Sequence, residues 1–448
     1  MFKYNNTGYE HNYHDNMFGG PMSFDVFNPH VDYKVSYFRE DVGLNSFYPL
    51  SFRFPSWMNI KKYNFKGYFR RGELFYYIHQ QMLARYTLER LANGLPFVEA
   101  FSYDKPIQVG YNPRIAHFNG EALLARPDDY NLKYSPNSLY MQLAKTAELR
   151  LLDAIDYGGF WNAYNGGATT LKISTLRDPA FYNIVVRIVG LFQKLKSHLP
   201  FYTSKDLKFP GVSVTNFEVD KLVTYFDMFD FEVTNGVAVS HPKDYIDYKY
   251  YASQFRLNHK PFNYKISVNS DAAYDGIVRV FIGPKYDSEE KIMTLNQKRM
   301  AMVEIDRFPV KIAAGQNVFE RNSKESPIFR PDAESFRSMY ERIDHALKTN
   351  EPYYINERVT CGIPERLQLP RGWRSGYPYT FTVVVMPFDH KEDHPEEMIC
   401  GTNKLYDHRP YGFPFDRPLM DTFFNVPNIF FKDEMIYHKD DVEVNRAN

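Results

Sequence analysis

The sequence predicts an α+β chain of two domains, the first mainly helical and the second a β-sandwich. Up to about residue 213, apolar residues recur at the three- and four-residue spacing of a buried helix face. From about residue 214 they alternate with polar residues, as in strands with one buried face, and Gly, Pro, Asn and Asp turns separate the runs. We therefore assign residues 22–213 to a helical domain and 214–448 to a sandwich, after a flexible tail over residues 1–21.

The clearest helix of the first domain is predicted over Gly72–Gly94. Asn93 and Gly94 favour a left-handed stop, and Pro96 prevents continuation. A single histidine, His79, shares the predicted buried stripe with four apolar or aromatic residues: Phe75, Ile78, Met82 and Tyr86. An inward histidine on a helix is either a metal ligand or a hydrogen-bonded core residue, and the spacing alone leaves both readings open.

A second helix is predicted to begin after Asp178. An aspartate is a good N-cap, and Pro179 suits the first helical position. Pro200 closes the helix, whose apolar stripe is continuous: Phe181, Ile184, Val185, Ile188, Leu191, Phe192 and Leu195. A further helical stripe runs through Asn137–Ile155.

The second domain shows the two-residue period of strands. Strands are predicted at Val303–Ile312, at Tyr379–Met386 and around two alternating triplets: Tyr264, Ile266, Val268 and Val278, Val280, Ile282. Charged insertions over Asp287–Lys298 and Asp332–Asn350 are expected to add helices or long loops.

Composition narrows the functional classes. Lys+Arg 54 balance Asp+Glu 54, which is unlike a nucleic-acid-binding protein. No run of 18 apolar residues predicts a membrane span, and the polar first 22 residues do not resemble a signal peptide. Phe 38 and Tyr 36 in 448 residues far exceed ordinary usage. Either the rings serve core packing, or the aromatic composition is itself the function.

Motifs for catalysis are missing from the sequence. It has no glycine-rich phosphate loop, nucleophile elbow, paired CxxC or HExxH. His390 and His394 have HxxxH spacing but are followed at once by Pro395, which indicates a loop. Asn5 begins a glycosylation sequon, a short pattern that is common by chance.

Five segments, in order along the chain, resemble the arthropod hemocyanin superfamily. The superfamily includes oxygen carriers, prophenoloxidases and copper-free insect hexamerins, among them the aromatic-rich arylphorins. The segments are Tyr37–Asn45 (YFREDVGLN), Gly72–Leu91 (GELFYYIHQQMLARYTLERL), Arg177–Phe181 (RDPAF), Ala314–Ser323 (AGQNVFERNS) and Leu405–Pro418 (LYDHRPYGFPFDRP). The resemblance implies a degenerate dicopper-type helical middle domain followed by an immunoglobulin-like β-sandwich.

The resemblance also implies where copper ligands would stand. His79 matches the third ligand of the first copper, and Val185 occupies the last ligand position of the second. The other positions should fall within Ser46–Pro55 and Asp153–Thr170, and neither segment contains a histidine. One ligand of six remains, so we expect no copper, no cofactor and no catalysis, with His79 a hydrogen-bonded core residue and apolar side chains filling the former cavity.

The resemblance implies a hexamerin, and the Phe and Tyr content favours within that group an arylphorin, an aromatic-rich reserve of amino acids for insect development and cuticle. Such proteins are secreted into hemolymph, form homo- or hetero-hexamers, and are taken up through a fat-body receptor into granules. The family's first, helical domain is missing here, and a separate chain could supply it. Cys361 and Cys400 are implied as a disulfide of the sandwich. The alternatives are a carrier of small hydrophobic ligands, or a phenoloxidase or oxygen carrier.

Overall fold

The computed structural model describes a helical part and a β part that pack against each other. The described residues are 2–5, 31–45, 47, 71–102, 105–111, 126, 128–130, 176–232, 248–331, 336–352, 363–388, 397–399, 403–405 and 409–440.

The α-helices of the described residues are α1 (Ser36–Arg39), α2 (Arg71–Ala92), α3 (Pro179–Lys196), α4 (Ser204–Leu207), α5 (Leu295–Lys298) and α6 (Phe336–Thr349). The two longest, α2 and α3, belong to the first part, whereas α5 and α6 lie between strands of the second. Helix α3 begins as the sequence predicts, because the Asp178 carboxylate accepts a 2.9 Å hydrogen bond from the Ala180 amide and Pro179 fills the first turn. Among the described residues, none of the helices is both long and apolar enough for a bilayer crossing.

The second part is built from strands. They are β1 (Phe2–Asn5), β2 (Val212–Val219), β3 (Leu222–Glu232), β4 (Tyr248–His259), β5 (Asn263–Ser270), β6 (Tyr274–Pro284), β7 (Val303–Ile312), β8 (Gly315–Asn322), β9 (Phe329–Arg330), β10 (Ile363–Pro364), β11 (Tyr377–Pro387), β12 (Glu397–Ile399), β13 (Asn403–Leu405) and β14 (Ile429–His438).

Two sheets face each other. The larger has the order β1-β4-β3-β14-β11-β6-β7 and the smaller the order β2-β5-β8. All their pairings are antiparallel except that between β14 and β3. Phe217 on β2 and Phe381 on β11 stack across the interface with ring centroids 5.5 Å apart. The alternating burial along β5 puts one face into this shared core. The helices of the first part and the facing sheets of the second confirm the predicted fold class, a helical domain followed by a β-sandwich.

The element boundaries refine the sequence assignment. Strand β2 begins at Val212, two residues before the boundary assigned at 213/214. Within the segment assigned to a tail, β1 pairs with β4, so these four residues carry a paired backbone. Helix α6 lies within the charged insertion Asp332–Asn350, whereas Asp287–Lys298 contains only the single turn of α5. The stripe predicted over Asn137–Ile155 lies outside the described residues.

Candidate functional site

The candidate site lies where α2 packs on α3 and on the β part. The sequence predicts one buried stripe on α2, and the structure corrects this prediction. From Tyr76 to Ala92 every side chain is buried except the half-buried Ile78. Polar and charged residues of the helix are buried as well: Gln80, Gln81, Arg85, Glu89 and Arg90. The first four find partners among residues 300–304 and 367–371, whereas Arg90 pairs with Asp32 and donates to the carbonyl oxygen of Pro96.

His79 and Val185 mark the two copper-ligand positions that fall within the described residues. His79 is 3% exposed and Val185 is 1% exposed, so both side chains lie in the interior. A valine has no lone pair to offer a metal. The segments expected to hold the other ligands lie outside the described residues, apart from Phe47, which is buried.

These residues do not fit a dicopper centre. Over the described part of the chain, no group of three His, Cys, Asp or Glu side chains is placed to hold a metal ion. The remaining ligand-equivalent segments contain no histidine in their sequence. A single imidazole and a valine side chain cannot bind two copper ions, which need several convergent nitrogen ligands.

Aromatic rings fill the contact between the two helices. Tyr86 on α2 stacks on Tyr182 on α3 with centroids 3.8 Å apart. Phe38 lies 5.9 Å beyond Tyr86, and Phe181 meets Tyr182 edge-on at 5.2 Å. All four rings are at most 4% exposed. Packing of this kind accounts for part of the high aromatic content, because each buried ring removes a large apolar area from water.

Glu89 joins the C-terminal half of α2 to its surroundings. Its carboxylate accepts hydrogen bonds from the Tyr37 hydroxyl, from Arg85 at 2.6 Å and from the Arg371 amide at 3.2 Å. Arg85 also donates to the carbonyl oxygens of Leu367 at 2.7 Å and Leu369 at 2.8 Å. The buried charges are therefore paired and hydrogen-bonded, which offsets the cost of removing them from water.

Near the start of α2, Glu304 on β7 is likewise a buried carboxylate that accepts several hydrogen bonds. Arg307 donates to its two oxygens at 2.7 and 2.5 Å, and the Tyr77 hydroxyl donates to it as well. Burial raises the pKa of Glu304, but Arg307 and Arg279 outweigh burial and the net pKa is lowered. The carboxylate thus stays ionised in the interior.

Tyr37 beside Glu89 and Tyr77 beside Glu304 act as neutral hydrogen-bond donors. Burial, followed by the neighbouring Glu89, raises the pKa of Tyr37 well above 10. Burial and Glu304 do the same for Tyr77. A protonated hydroxyl beside a carboxylate makes a charge-assisted hydrogen bond. These groups hold the helix in place, and their geometry gives them a structural role.

A small cavity lies beside the start of α2. Its volume is about 10 Å³, the room of about one water molecule. It is lined by Tyr76, Gln80, Arg299, Tyr411 and Phe415 among others. A cavity of this size does not admit a hydrophobic ligand.

The sequence analysis did not predict the buried carboxylates that pair with arginines. One signal was available: Glu304 and Asp306 interrupt a strand that is otherwise apolar, and Arg307 follows them. Both acids are 1% exposed. Acidic residues that alternate with apolar ones in a predicted strand, next to an arginine, indicate burial with a partner.

The remaining predicted site residues lie outside the described residues or at the end of a described segment. Cys361, Cys400, His390 and His394 lie outside the described residues, so their pairing and chemistry stay predictions. Asn5 ends strand β1, opposite Tyr248, and the description of Asn5 stops at its backbone.

Family comparisons cover both parts of the chain. The family described as "Hemocyanin, copper containing domain" matches residues 1–175, and "Hemocyanin, ig-like domain" matches residues 201–438. A hexamerin of Blaberus discoidalis is 35% identical over 538 residues, which span 95% of this chain and 73% of the relative. The arylphorin subunit alpha of Manduca sexta is 33% identical over 95% of this chain and 68% of its own length.

Solved structures show the same fold. A scorpion hemocyanin in its activated state superposes with a TM-score of 0.76 at 24% identity, over 95% of this chain and 77% of that one. A crustacean hemolymph-type prophenoloxidase gives 0.72 at 23% identity, over 94% and 72%. At this level of identity the likeness extends to the fold alone.

Proposed function

The chain belongs to the hemocyanin superfamily, among its hexamerins, and from this premise we propose that it is an aromatic-rich storage protein of insect hemolymph. The observation that carries the proposal is the composition, with Phe 38 and Tyr 36 in 448 residues. Relatives named hexamerin and arylphorin support a storage role. Proteolysis would release phenylalanine and tyrosine for development and for the phenolic chemistry of cuticle.

The proposal includes the absence of catalysis. The prophenoloxidase and hemocyanin neighbours share the fold, and the family model matched over residues 1–175 is described as copper containing. Here Val185 stands at a ligand position, and Ser46–Pro55 and Asp153–Thr170 lack histidine. Oxygen binding and phenol oxidation both require the missing ligands.

Stability and storage are compatible in this fold. The stacked Tyr86 and Tyr182 are both reserve material and core residues. A reserve that is also a packed core resists proteases until the fold opens, because cleavage needs a locally unfolded backbone. Storage therefore needs no dedicated binding site.

We further propose secretion into hemolymph, assembly as a homo- or hetero-hexamer, and later uptake through a fat-body receptor into granules. A relative named as an arylphorin subunit supports assembly. The formal net charge of zero limits repulsion between copies.

Isotope tracing tests the storage proposal. The chain is produced with ring-labelled tyrosine and phenylalanine and injected into insect larvae before a moult. We expect the label in new cuticle at several times the level obtained with a serum albumin that carries the same amount of label. Equal incorporation from both proteins would contradict a dedicated reserve.

Metal analysis tests the absence of catalysis. The purified protein, incubated with Cu²⁺ and dialysed, should retain far less than one copper per chain and oxidise no catechol. A hemocyanin treated in parallel is the positive control. Two tightly held copper ions per chain would refute the assignment, whatever the tracing shows.

A further inference from the structure

Two histidines flank a threonine across three adjacent strands of the large sheet. In the register of the sheet, Thr224 on β3 pairs with His259 on β4 and with His438 on β14. The three side chains are 0%, 4% and 6% exposed. The row ends at the contact between the sheet and the segment 365–373.

His438 is held by neutral groups. Its Nδ1 lies 3.0 Å from the Thr224 hydroxyl, which also accepts a 3.0 Å hydrogen bond from the Gly372 amide. The His438 amide donates to the carbonyl oxygen of Trp373 at 2.8 Å. The charged groups that act on the ring are Arg371, Arg374 and one acid, Asp440, which is paired with Arg374.

His259 faces two acceptors. Its Nδ1 lies 2.9 Å from the carbonyl oxygen of Lys260, and its Nε2 lies 3.1 Å from that of Glu365. Carbonyl oxygens only accept, and a neutral imidazole has one N–H, so one of the two contacts lacks a proton. Protonation would complete the second hydrogen bond but would place a charge in the interior. The charged groups that act on this ring are Arg85 and Lys324, both positive.

The segment above the two rings joins the sheet to helix α2. Leu367 and Leu369 accept the hydrogen bonds of Arg85, and the indole of Trp373 donates to the carbonyl oxygen of Ala92 at 2.6 Å. Beside His259, Arg366 is already paired with Asp41 at 2.5 Å. That carboxylate is therefore committed to another cation.

We infer that the row His259–Thr224–His438 is an acid-sensitive joint, whose protonation loosens segment 365–373 and with it the attachment of helix α2 to the sheet. Each new imidazolium would be buried and would face mainly cations: Arg85 and Lys324 at His259, and Arg371 and Arg374 at His438. Local opening relieves both penalties, because it returns the rings to water.

The direction of the effect follows from the pKa values. Burial, followed by Arg371, lowers the pKa of His438 from 6.5 to about 4. Burial also lowers the pKa of His259, although its two carbonyl contacts act in the opposite direction. The open state therefore binds protons more readily than the closed state, and opening becomes easier as the pH falls below 6.5. His438 alone favours opening by about 20-fold between pH 7 and pH 5 and by about 100-fold at pH 4.

The link between the joint and storage rests on the proposed function. In an acidic proteolytic compartment the joint would open and expose the stored chain to proteases. The opening itself is a property of the purified chain. The test of the joint is therefore independent of isotope tracing. Either proposal can be refuted while the other stands.

Hydrogen–deuterium exchange of the purified protein at pH 7.5 and pH 5.0, corrected for intrinsic rates, tests the joint. Protection of peptides over 365–373 should fall by about 10-fold or more at pH 5.0 in the wild type. In the double variant His259→Asn/His438→Asn the fall should be below about threefold. Exposed His198→Asn is the matched control and should behave as the wild type does. Equal pH dependence in the wild type and the double variant would overturn the inference.

A direct titration decides the matter if the double variant does not fold. Exchange of the histidine C2 hydrogens, followed by mass spectrometry on the wild type, gives the pKa of each ring. Values below the ordinary imidazole pKa of 6.5 for both His259 and His438 support the joint. An unshifted or raised value for either ring overturns it.

Discussion

Helices α2 and α3 pack against each other, yet they meet the rest of the protein in opposite ways. Helix α3 buries one face, through residues such as Ile184 and Ile188, and leaves Leu195 69% exposed. Helix α2 is covered on all sides from Tyr76 to Ala92. The difference shows that apolar periodicity identifies the buried face of a helix only when the other face meets water.

The polar face of α2 is buried because the β part supplies partners for it. Glu89 meets the Arg371 amide and Tyr77 meets Glu304, each more than 200 residues away in sequence. On α3, by contrast, the capping aspartate belongs to the same segment as the helix. We therefore expect α2 to depend on charge pairing and α3 to depend on local and apolar terms.

The largest effect is expected from Glu89→Gln. The change removes the carboxylate that pairs with buried Arg85 and accepts from Tyr37, so the free energy of unfolding should fall by about 3–5 kcal/mol. Urea denaturation measures it. The matched control is Glu320→Gln, since Glu320 is 59% exposed and pairs with an exposed lysine at 3.4 Å. Equal losses in the two variants would refute the dependence of α2 on paired charge.

The corresponding test of α3 is Ile188→Ala. The side chain is 4% exposed, so its truncation should leave a cavity and lower the free energy of unfolding by about 2–4 kcal/mol. Leu195→Ala is the control on the same helix and should change stability by less than about 0.5 kcal/mol. Similar losses at the two positions would mean that the outer face of α3 is covered in solution, for instance by another subunit.

High pH should affect α2 through its tyrosines. Burial raises the pKa of Tyr76 from 10 to about 12. The stability from the protonated hydroxyl is complete below pH 10 and is lost as the pH rises through 12. Between pH 9 and pH 11.5 the wild type should lose about 2 kcal/mol more than Tyr76→Phe does, measured by urea denaturation. A loss that Tyr76→Phe leaves unchanged would assign alkaline sensitivity to other groups.

Much of this contrast was accessible from sequence, and the limits have a physical cause. The start of α3, its capping residue and the burial of Val185 followed from spacing within one segment. The bounds of α2 were close, at 72–94 against 71–92. Its buried charges were missed because their partners come from β7 and from segment 365–373, and a single sequence does not reveal which distant segments meet.

For the functional site as well, features set by local sequence could be predicted and features set by distant segments could not. The absence of histidine from the expected ligand segments can be read from the sequence, and the loss of the copper ligands stays a prediction drawn from it. The row His259–Thr224–His438 could not be inferred, since it depends on the register of β3 against β4 and against β14, which lies about 200 residues further along the chain. Local spacing identifies ligand motifs, whereas sheet register is set by long-range packing.

The smallest effects are expected from two glycines, which should respond with opposite signs. Gly94, after the end of α2, has φ +71°, and Gly190 lies within α3. At both, an added Cβ would meet no atom of the described residues within 4 Å. Gly94→Ala should therefore cost about 1 kcal/mol through its left-handed backbone alone. Gly190→Ala should stabilise the protein by about 0.5–1 kcal/mol, since alanine favours the helix and restricts the unfolded chain. Thermal unfolding of both variants measures the pair, and a loss at Gly190 would contradict the prediction that the space beside α3 is open to an added methyl group.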